Sequence, residues 1–152
     1  LKDVGFNLQF LLGSGTPYTR RVSAVALGSN SSSTILGSLN GSYKPWTYRM
    51  NLRIDKNIAL TWGKKDSDSR KTENLNIYLQ VLNLLNTRNV AAVYAYTGNP
   101  NDDGYLTSAL AQSTIQNLNS PQGYIDQYSI AMNNPNNYTL PRQIRIGLQL
   151  DF

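Results

Sequence analysis

Apolar residues return at every second position near the end of this chain. Ile144, Ile146, Leu148, Leu150 and Phe152 fall on one side, and Gln143, Arg145, Gly147, Gln149 and Asp151 on the other. An unbroken period of two belongs to a strand with one apolar and one wet face. The run also has the ~9–11 residues with which a tilted strand crosses a bilayer. From about Val4 to Tyr18, Val4, Phe6, Leu8, Phe10 and Leu12 alternate with Gly5, Asn7, Gln9 and Gly13, Leu11 being the one misfit. From about Trp46 to Trp62, Trp46, Tyr48, Met50, Leu52, Ile54, Ile58, Leu60 and Trp62 share a parity, opposite Arg49, Asn51, Arg53, Asp55 and Asn57. Lys56 intrudes on the apolar parity, either as a snorkelling side chain or at a bulge that shifts the phase. A further strand is expected from about Asn74 to Tyr96: Leu75, Ile77, Leu79 and Val81 alternate cleanly, the phase slips at Leu82–Asn86, and Val90–Tyr96 resumes it. Such a length exceeds the usual 3–10 residues of soluble strands.

Two polar connections, 20–45 and 97–137, and a short charged turn, 63–72, separate these strands. The first is expected to be a mobile loop with a short strand at Val22–Leu27. The second carries helical spacing over Thr107–Leu118 (Leu106, Leu110, Ile115, Leu118) and Pro121–Met132 (Ile125, Ile130), with Ser120 before Pro121 as a helix start. Connections alternating long, short, long suit an outer-membrane barrel with external loops and a periplasmic turn. The expected fold is therefore all-β: an antiparallel transmembrane β-barrel segment of four long strands, about 4–18, 46–62, 74–96 and 142–152. Trp46, Tyr48, Trp62 and Tyr138 are candidates for the aromatic membrane girdle. Arg49, Arg53, Asp55, Arg145 and Asp151 are expected to face the lumen, with structural ion pairs as their default role. An open sheet in lipid leaves two unpaired edges, and single-chain barrels begin at eight strands. Further strands, from the same chain or from others, must complete the wall.

Composition narrows the chemistry. The 152 residues include no cysteine and no histidine, which removes thiolate sites, the usual zinc ligand and the commonest general base. Charged residues make up 15%, against about 25% in soluble domains. No apolar run is long enough for a transmembrane helix. The net charge of +5 is spread over turns, rims and lumen positions rather than gathered in a stripe, so nucleic acid is not an expected partner. Without an initiator Met or signal segment, the sequence reads as a mature or partial chain, most simply a C-terminal portion. Gly13-x-Gly15 and Gly63-Lys64 lack the context of nucleotide loops. Asn30, Asn40 and Asn137 head Asn-x-Ser/Thr triplets, which chance explains in a bacterial chain. No catalytic constellation is visible, and neither enzyme activity, a cofactor nor a metal is expected. Asp102 and Asp103 beside Gly104 offer oxygen ligands for calcium, but a polar turn is the better reading. Tyr94, Tyr96 and Tyr105 with Asn101, Asp102 and Asp103 form a candidate rim for a sugar or peptide. The competing reading, preferred for Tyr94 and Tyr96, is an external girdle.

Five stretches in this order resemble the C-terminal end of TonB-dependent outer-membrane receptors, especially the large Bacteroidota-type ones. They are Gly15-Thr-Pro-Tyr-Thr19, Tyr48-Arg-Met-Asn-Leu-Arg-Ile-Asp-Lys56, Val81-Leu-Asn-Leu-Leu-Asn-Thr-Arg-Asn89, Thr97-Gly-Asn-Pro-Asn-Asp-Asp-Gly-Tyr105 and Pro141-Arg-Gln-Ile-Arg-Ile-Gly-Leu-Gln-Leu-Asp-Phe152. The resemblance implies a 22-stranded barrel in a Gram-negative outer membrane, closed by an N-terminal plug. It implies import of a scarce nutrient (oligosaccharide, peptide or metal chelate) with energy from the inner-membrane TonB complex. Phe152 would be the signal read by the barrel-assembly machinery. Other implied partners are outer-membrane lipid and the rest of the same barrel and plug; a surface lipoprotein is left open. The family's plug and energy-coupling box lie upstream of this sequence. The alternatives are a strand-contributing subunit of a multi-chain outer-membrane pore, for protein secretion or as a trimeric barrel, and a soluble β-sandwich binding module.

Overall fold

The computed structural model describes residues 2–29, 33–62 and 71–151. Phe152, the Asn30 triplet and most of the expected turn at 63–72 lie outside them. The chain is mainly β: β1 (Val4–Gly13), β2 (Pro17–Tyr18), β3 (Ser42–Tyr43), β4 (Thr47–Trp62), β5 (Lys71–Leu82) and β6 (Gln143–Asp151). Two short helices, α1 (Ala109–Gln116) and α2 (Pro121–Met132), and a 3-10 turn at Pro135–Asn137 interrupt them. β1, β4, β5 and β6 form one antiparallel sheet in that spatial order, and β2 pairs with β3 separately. The four-stranded sheet is open, with β1 and β6 as its edges among the described residues.

The chain divides into two compact units. One, the sheet unit, comprises Leu1–Leu12, Tyr48–Thr87 and Leu140–Phe152; the other, the loop unit, comprises Gly13–Thr47 and Arg88–Thr139.

In the sheet unit the period-two pattern becomes rows across strands. Leu52, Val81 and Ile144 are aligned, as are Ile54, Leu79 and Ile146, then Lys56, Ile77 and Leu148, then Ile58, Leu75 and Leu150. Asn51 Nδ2 donates to Gln9 Oε1 at 2.9 Å, and Asn57 N to Asp3 O at 2.9 Å. These contacts set Phe6, Leu8 and Phe10 on the same face as the rows. The register runs through Lys56 opposite Ile77 without a skipped residue. There is no bulge there; Lys56 keeps its apolar parity and donates from Nζ to Lys2 O at 2.7 Å.

β1 stops at Gly13, where the expected strand continued to Tyr18. The Gly13-Ser-Gly15 stretch breaks it, and Pro17–Tyr18 pairs instead with Ser42–Tyr43. β5 stops at Leu82, where the expected strand ran on to Tyr96. Asn83 and Asn86 take left-handed backbone angles, φ 55° and 52°, which Asn tolerates better than most residues. Asn83 is buried, and its amide closes the turn: Nδ2 donates to Thr87 O (3.0 Å) and Leu140 O (3.2 Å), and Oδ1 accepts from Thr87 N (2.9 Å). Asn83 N donates to Asn51 Oδ1 at 3.1 Å, Thr87 Oγ1 to Tyr48 O at 2.9 Å, and Arg142 N to Asn86 Oδ1 at 2.9 Å. The end of β5 is thereby tied to β4 and to the approach to β6. Beyond it, Val90 makes only a single bridge, with Tyr138.

The loop unit is folded, where its first connection was expected to be a mobile loop. Val22–Leu27 is not a strand; the neighbouring Arg21 makes one bridge with Ile35, and its N–H donates to Ala95 O at 3.0 Å. Tyr105, Ala111, Ile115 and Tyr128 form the core, with Ala24, Ala26, Leu106, Tyr124, Ile125 and Met132 against it. Both long connections contribute, because neither alone carries enough apolar surface to bury.

On the polar face of the sheet Tyr78 lies opposite Gly147, and a Cβ at Gly147 would sit 2.3 Å from the phenol ring. Arg53 stacks on the same ring at 4.3 Å. Gly147→Ala should push the ring off this position and cost about 1–2 kcal/mol. In a Tyr78→Ala background the same change should cost much less. A double-mutant cycle from urea titrations of the full-length protein checks this, and equal costs in both backgrounds would refute the contact.

Candidate functional site

The sheet's apolar face lies open along its edge strands β1 and β6. Ile146 is 78% exposed, Phe6 67% and Leu148 69%, and Leu8, Phe10, Leu12, Ile144 and Leu150 are also exposed. Each such side chain forgoes about 1.5–3 kcal/mol by staying in water. Eight of them create a deficit comparable to the ~5–15 kcal/mol net stability of a domain. This face therefore needs an apolar cover. Trp46 and Tyr48 stand near one end of β4 and Trp62 at the other, all exposed. The outward run from Tyr48 to Ile58 spans roughly 33 Å at ~3.3 Å per residue. Glu73, opposite Leu60, closes the apolar band.

The opposite face carries the charged residues expected to line a lumen. Arg53 and Asp55 are half-buried and 3.7 Å apart. Arg145 Nη2 donates to Gln143 Oε1 at 3.0 Å, and Gln149 Nε2 to Asp151 Oδ1 at 3.1 Å. Arg49 is exposed on the same parity. Asn76 Nδ2 donates to Asn57 Oδ1 at 2.6 Å. Among the described residues the face thus joins neutral amides to one another and holds one close ion pair, Arg53–Asp55.

The residues considered for a ligand rim all fall in the loop unit, and most are spent on its internal bonds. Tyr105 is a core residue stacked on Tyr128 at 5.0 Å between ring centroids. Tyr94 donates its hydroxyl to Met132 O at 2.7 Å. Asn101 Oδ1 accepts from the Tyr138 hydroxyl at 2.8 Å, and Arg88 lies over the Tyr138 ring at 4.1 Å. Asp102 Oδ1 accepts from Gly104 N at 2.8 Å, the geometry of an Asx turn. Asp103 is only 3% exposed; Oδ2 accepts from the Tyr128 hydroxyl at 2.5 Å and Oδ1 from Tyr105 N at 2.9 Å. The two carboxylates do not converge on one point. Of this set Tyr96, Asn101 and Asp102 stay exposed, and Tyr96 is the one aromatic ring among them, at 40%.

Tyr128 was not singled out by the sequence pattern, yet it joins both connections. Its hydroxyl donates to Asp103 and accepts from Leu27 N at 3.0 Å. A signal existed: Tyr124, Ile125, Tyr128 and Met132 recur at helical spacing and form the buried side of α2. Ile130, expected on that stripe, is exposed, as is Leu110 on α1. No protein-family profile, curated protein or solved structure matches the chain.

Burial, followed by the hydrogen bond to Asp103, raises the Tyr128 hydroxyl well above its ordinary pKa near 10. A group raised in the folded state contributes fully below its unfolded pKa and loses that contribution as pH climbs toward the folded value. The loop unit should therefore open to protease progressively above about pH 10. Tyr128→Phe should cost about 1–3 kcal/mol at neutral pH and flatten the alkaline loss. Limited proteolysis across this range checks both; an unchanged alkaline profile in the variant would rule out Tyr128 as its source.

Proposed function

We propose that this chain forms four consecutive strands of an outer-membrane β-barrel, the C-terminal part of a TonB-dependent receptor that imports a scarce nutrient. The uncovered apolar face of the sheet carries the membrane half of this reading. Lipid tails are the cover that fits this apolar run, which at a tilt of ~40° would stand about 25 Å tall, with Tyr48 at one end, Trp62 beyond the other, and behind it a polar face whose amides bond one another. The open edges of β1 and β6 support the second half of the architecture. In lipid each unpaired N–H or C=O costs several kcal/mol, so further strands must close the wall. The transport role rests on the five sequence stretches that resemble such receptors. In this reading the two long connections are external loops, the polar face looks onto a plug from upstream polypeptide, and Phe152 guides assembly.

The membrane half predicts opposite behaviour of adjacent residues. In full-length protein held in its native membrane, Cys at Ile146 or Leu148 should resist a water-soluble maleimide and react with a lipid-phase probe. Cys at Gln149 should do the reverse. Equal aqueous labelling of Ile146→Cys and Gln149→Cys, or release of the protein without detergent, would instead favour a soluble β-sandwich. The transport half predicts that the full-length receptor binds the periplasmic domain of the inner-membrane energy coupler. A correctly inserted barrel that fails to bind it would be a pore subunit.

A further inference from the structure

The loop unit holds a cleft of about 460 Å³, lined in part by Val22, Ser23, Tyr96, Thr107, Ser108 and Leu110. We infer that this cleft binds a neutral sugar ring, stacked on Tyr96. The inference names the cargo class of the proposed importer and depends on that reading only for the sugar being cargo. The site itself stands on the loop unit.

Tyr96 is exposed and braced. A Cβ at Gly104 would lie 2.7 Å from a carbon of the Tyr96 ring, so the ring rests on bare backbone, at a residue with φ 75° that favours glycine. An aromatic ring held this way offers its free surface to the C–H face of a sugar at little cost in side-chain entropy. The polar groups beside it are complementary. Ser108 Oγ accepts from Ala111 N at 3.2 Å, which leaves its proton to donate outward. Thr107 Oγ1 donates to Gly104 O at 3.1 Å, which leaves its lone pairs to accept. Ser23 adds a third hydroxyl. A wholly apolar ligand would leave the remaining hydrogen-bonding capacity of these hydroxyls unmet.

Charge decides against the other cargo classes. None of the residues lining this cleft carries a charge at neutral pH, so an anionic metal chelate or a charged peptide would lose hydration without gaining a counter-charge. A smaller recess of about 110 Å³ shares Ser23 and Tyr96 and has Arg21 and Asp103 in its wall. Neither lines the cleft itself; Arg21 Nη1 donates to Ser33 O at 2.5 Å, and Asp103 is held by Tyr128 and Tyr105 N. The exposed aliphatic side chains of Val22 and Leu110 match the alternating apolar patches of a pyranose.

The test is calorimetric titration of detergent-purified full-length protein with maltohexaose, xylohexaose and mannohexaose, beside oligogalacturonate, ferric citrate and an uncharged hexapeptide. A neutral oligosaccharide should bind. Tyr96→Ala should weaken that binding roughly tenfold or more, and Tyr96→Phe by no more than about threefold, since the ring supplies the stacking. Tyr96→Ala also removes a packing contact with Gly104, so Ala109→Trp serves as a second variant. Ala109 is exposed at the start of α1 and lines the cleft; its enlargement should block the sugar while leaving the fold intact. Binding of none of the neutral sugars, preference for an acidic or peptide probe, or indifference to both variants would overturn the assignment. Membrane labelling at Ile146 and Gln149 reports on the barrel separately, so the two ideas fail independently.

Discussion

The sheet's outward face has no cover of its own, and the rest of the structure follows from that. β1, β4, β5 and β6 place Phe6, Leu8, Ile54, Ile146 and Leu148 on one side, where several are more than half exposed. A soluble sheet would bury such a face against a second layer. The polar side makes its own contacts, with Arg53 laid over Tyr78 and Asn76 bonded to Asn57. The proposed membrane setting would supply an apolar medium against the other side. In that setting unpaired edges would be intolerable, so the open sheet and the apolar face both support the proposed closed wall.

Lys56 shows how strictly the alternation is held. A bulge would have turned the cation to the polar face and flipped the residues after it. Instead the register continues, and the ammonium reaches the Lys2 carbonyl. The unbroken register keeps Ile58 and its partners Leu75 and Leu150 outward, with one charge near the end of the band.

Where the strands end, amide side chains replace the ladder. Asn83 satisfies two backbone carbonyls and an N–H that β5 no longer pairs, and its left-handed angle turns the chain. In the loop unit one buried carboxylate plays a comparable part. Asp103 holds Tyr105 N directly and Leu27 N through the Tyr128 hydroxyl. Segments about a hundred residues apart in sequence are joined by one tyrosine on α2.

The alternation of β4 and β6, the Pro121 start of α2 and the parity of Arg53, Asp55 and Arg145 were legible in the sequence, because each depends on local period or backbone chemistry. The extent of β5 was not. Val90–Tyr96 has the composition of a strand, but composition does not show that Asn83 ends the ladder by bonding Leu140, a residue far along the chain. The fate of Tyr94, Tyr105, Asp102 and Asp103 was equally hidden. A polar cluster in sequence looks the same whether its groups face a ligand or one another, and only the docking of α2, through Tyr128 on Asp103 and Tyr105 and Met132 O on Tyr94, occupied three of the four. The sequence by itself determined which faces of the strands are apolar, since that is a matter of period. Tertiary structure alone decided where the strands stop and which loop side chains remain free, since both depend on hydrogen-bond partners distant along the chain.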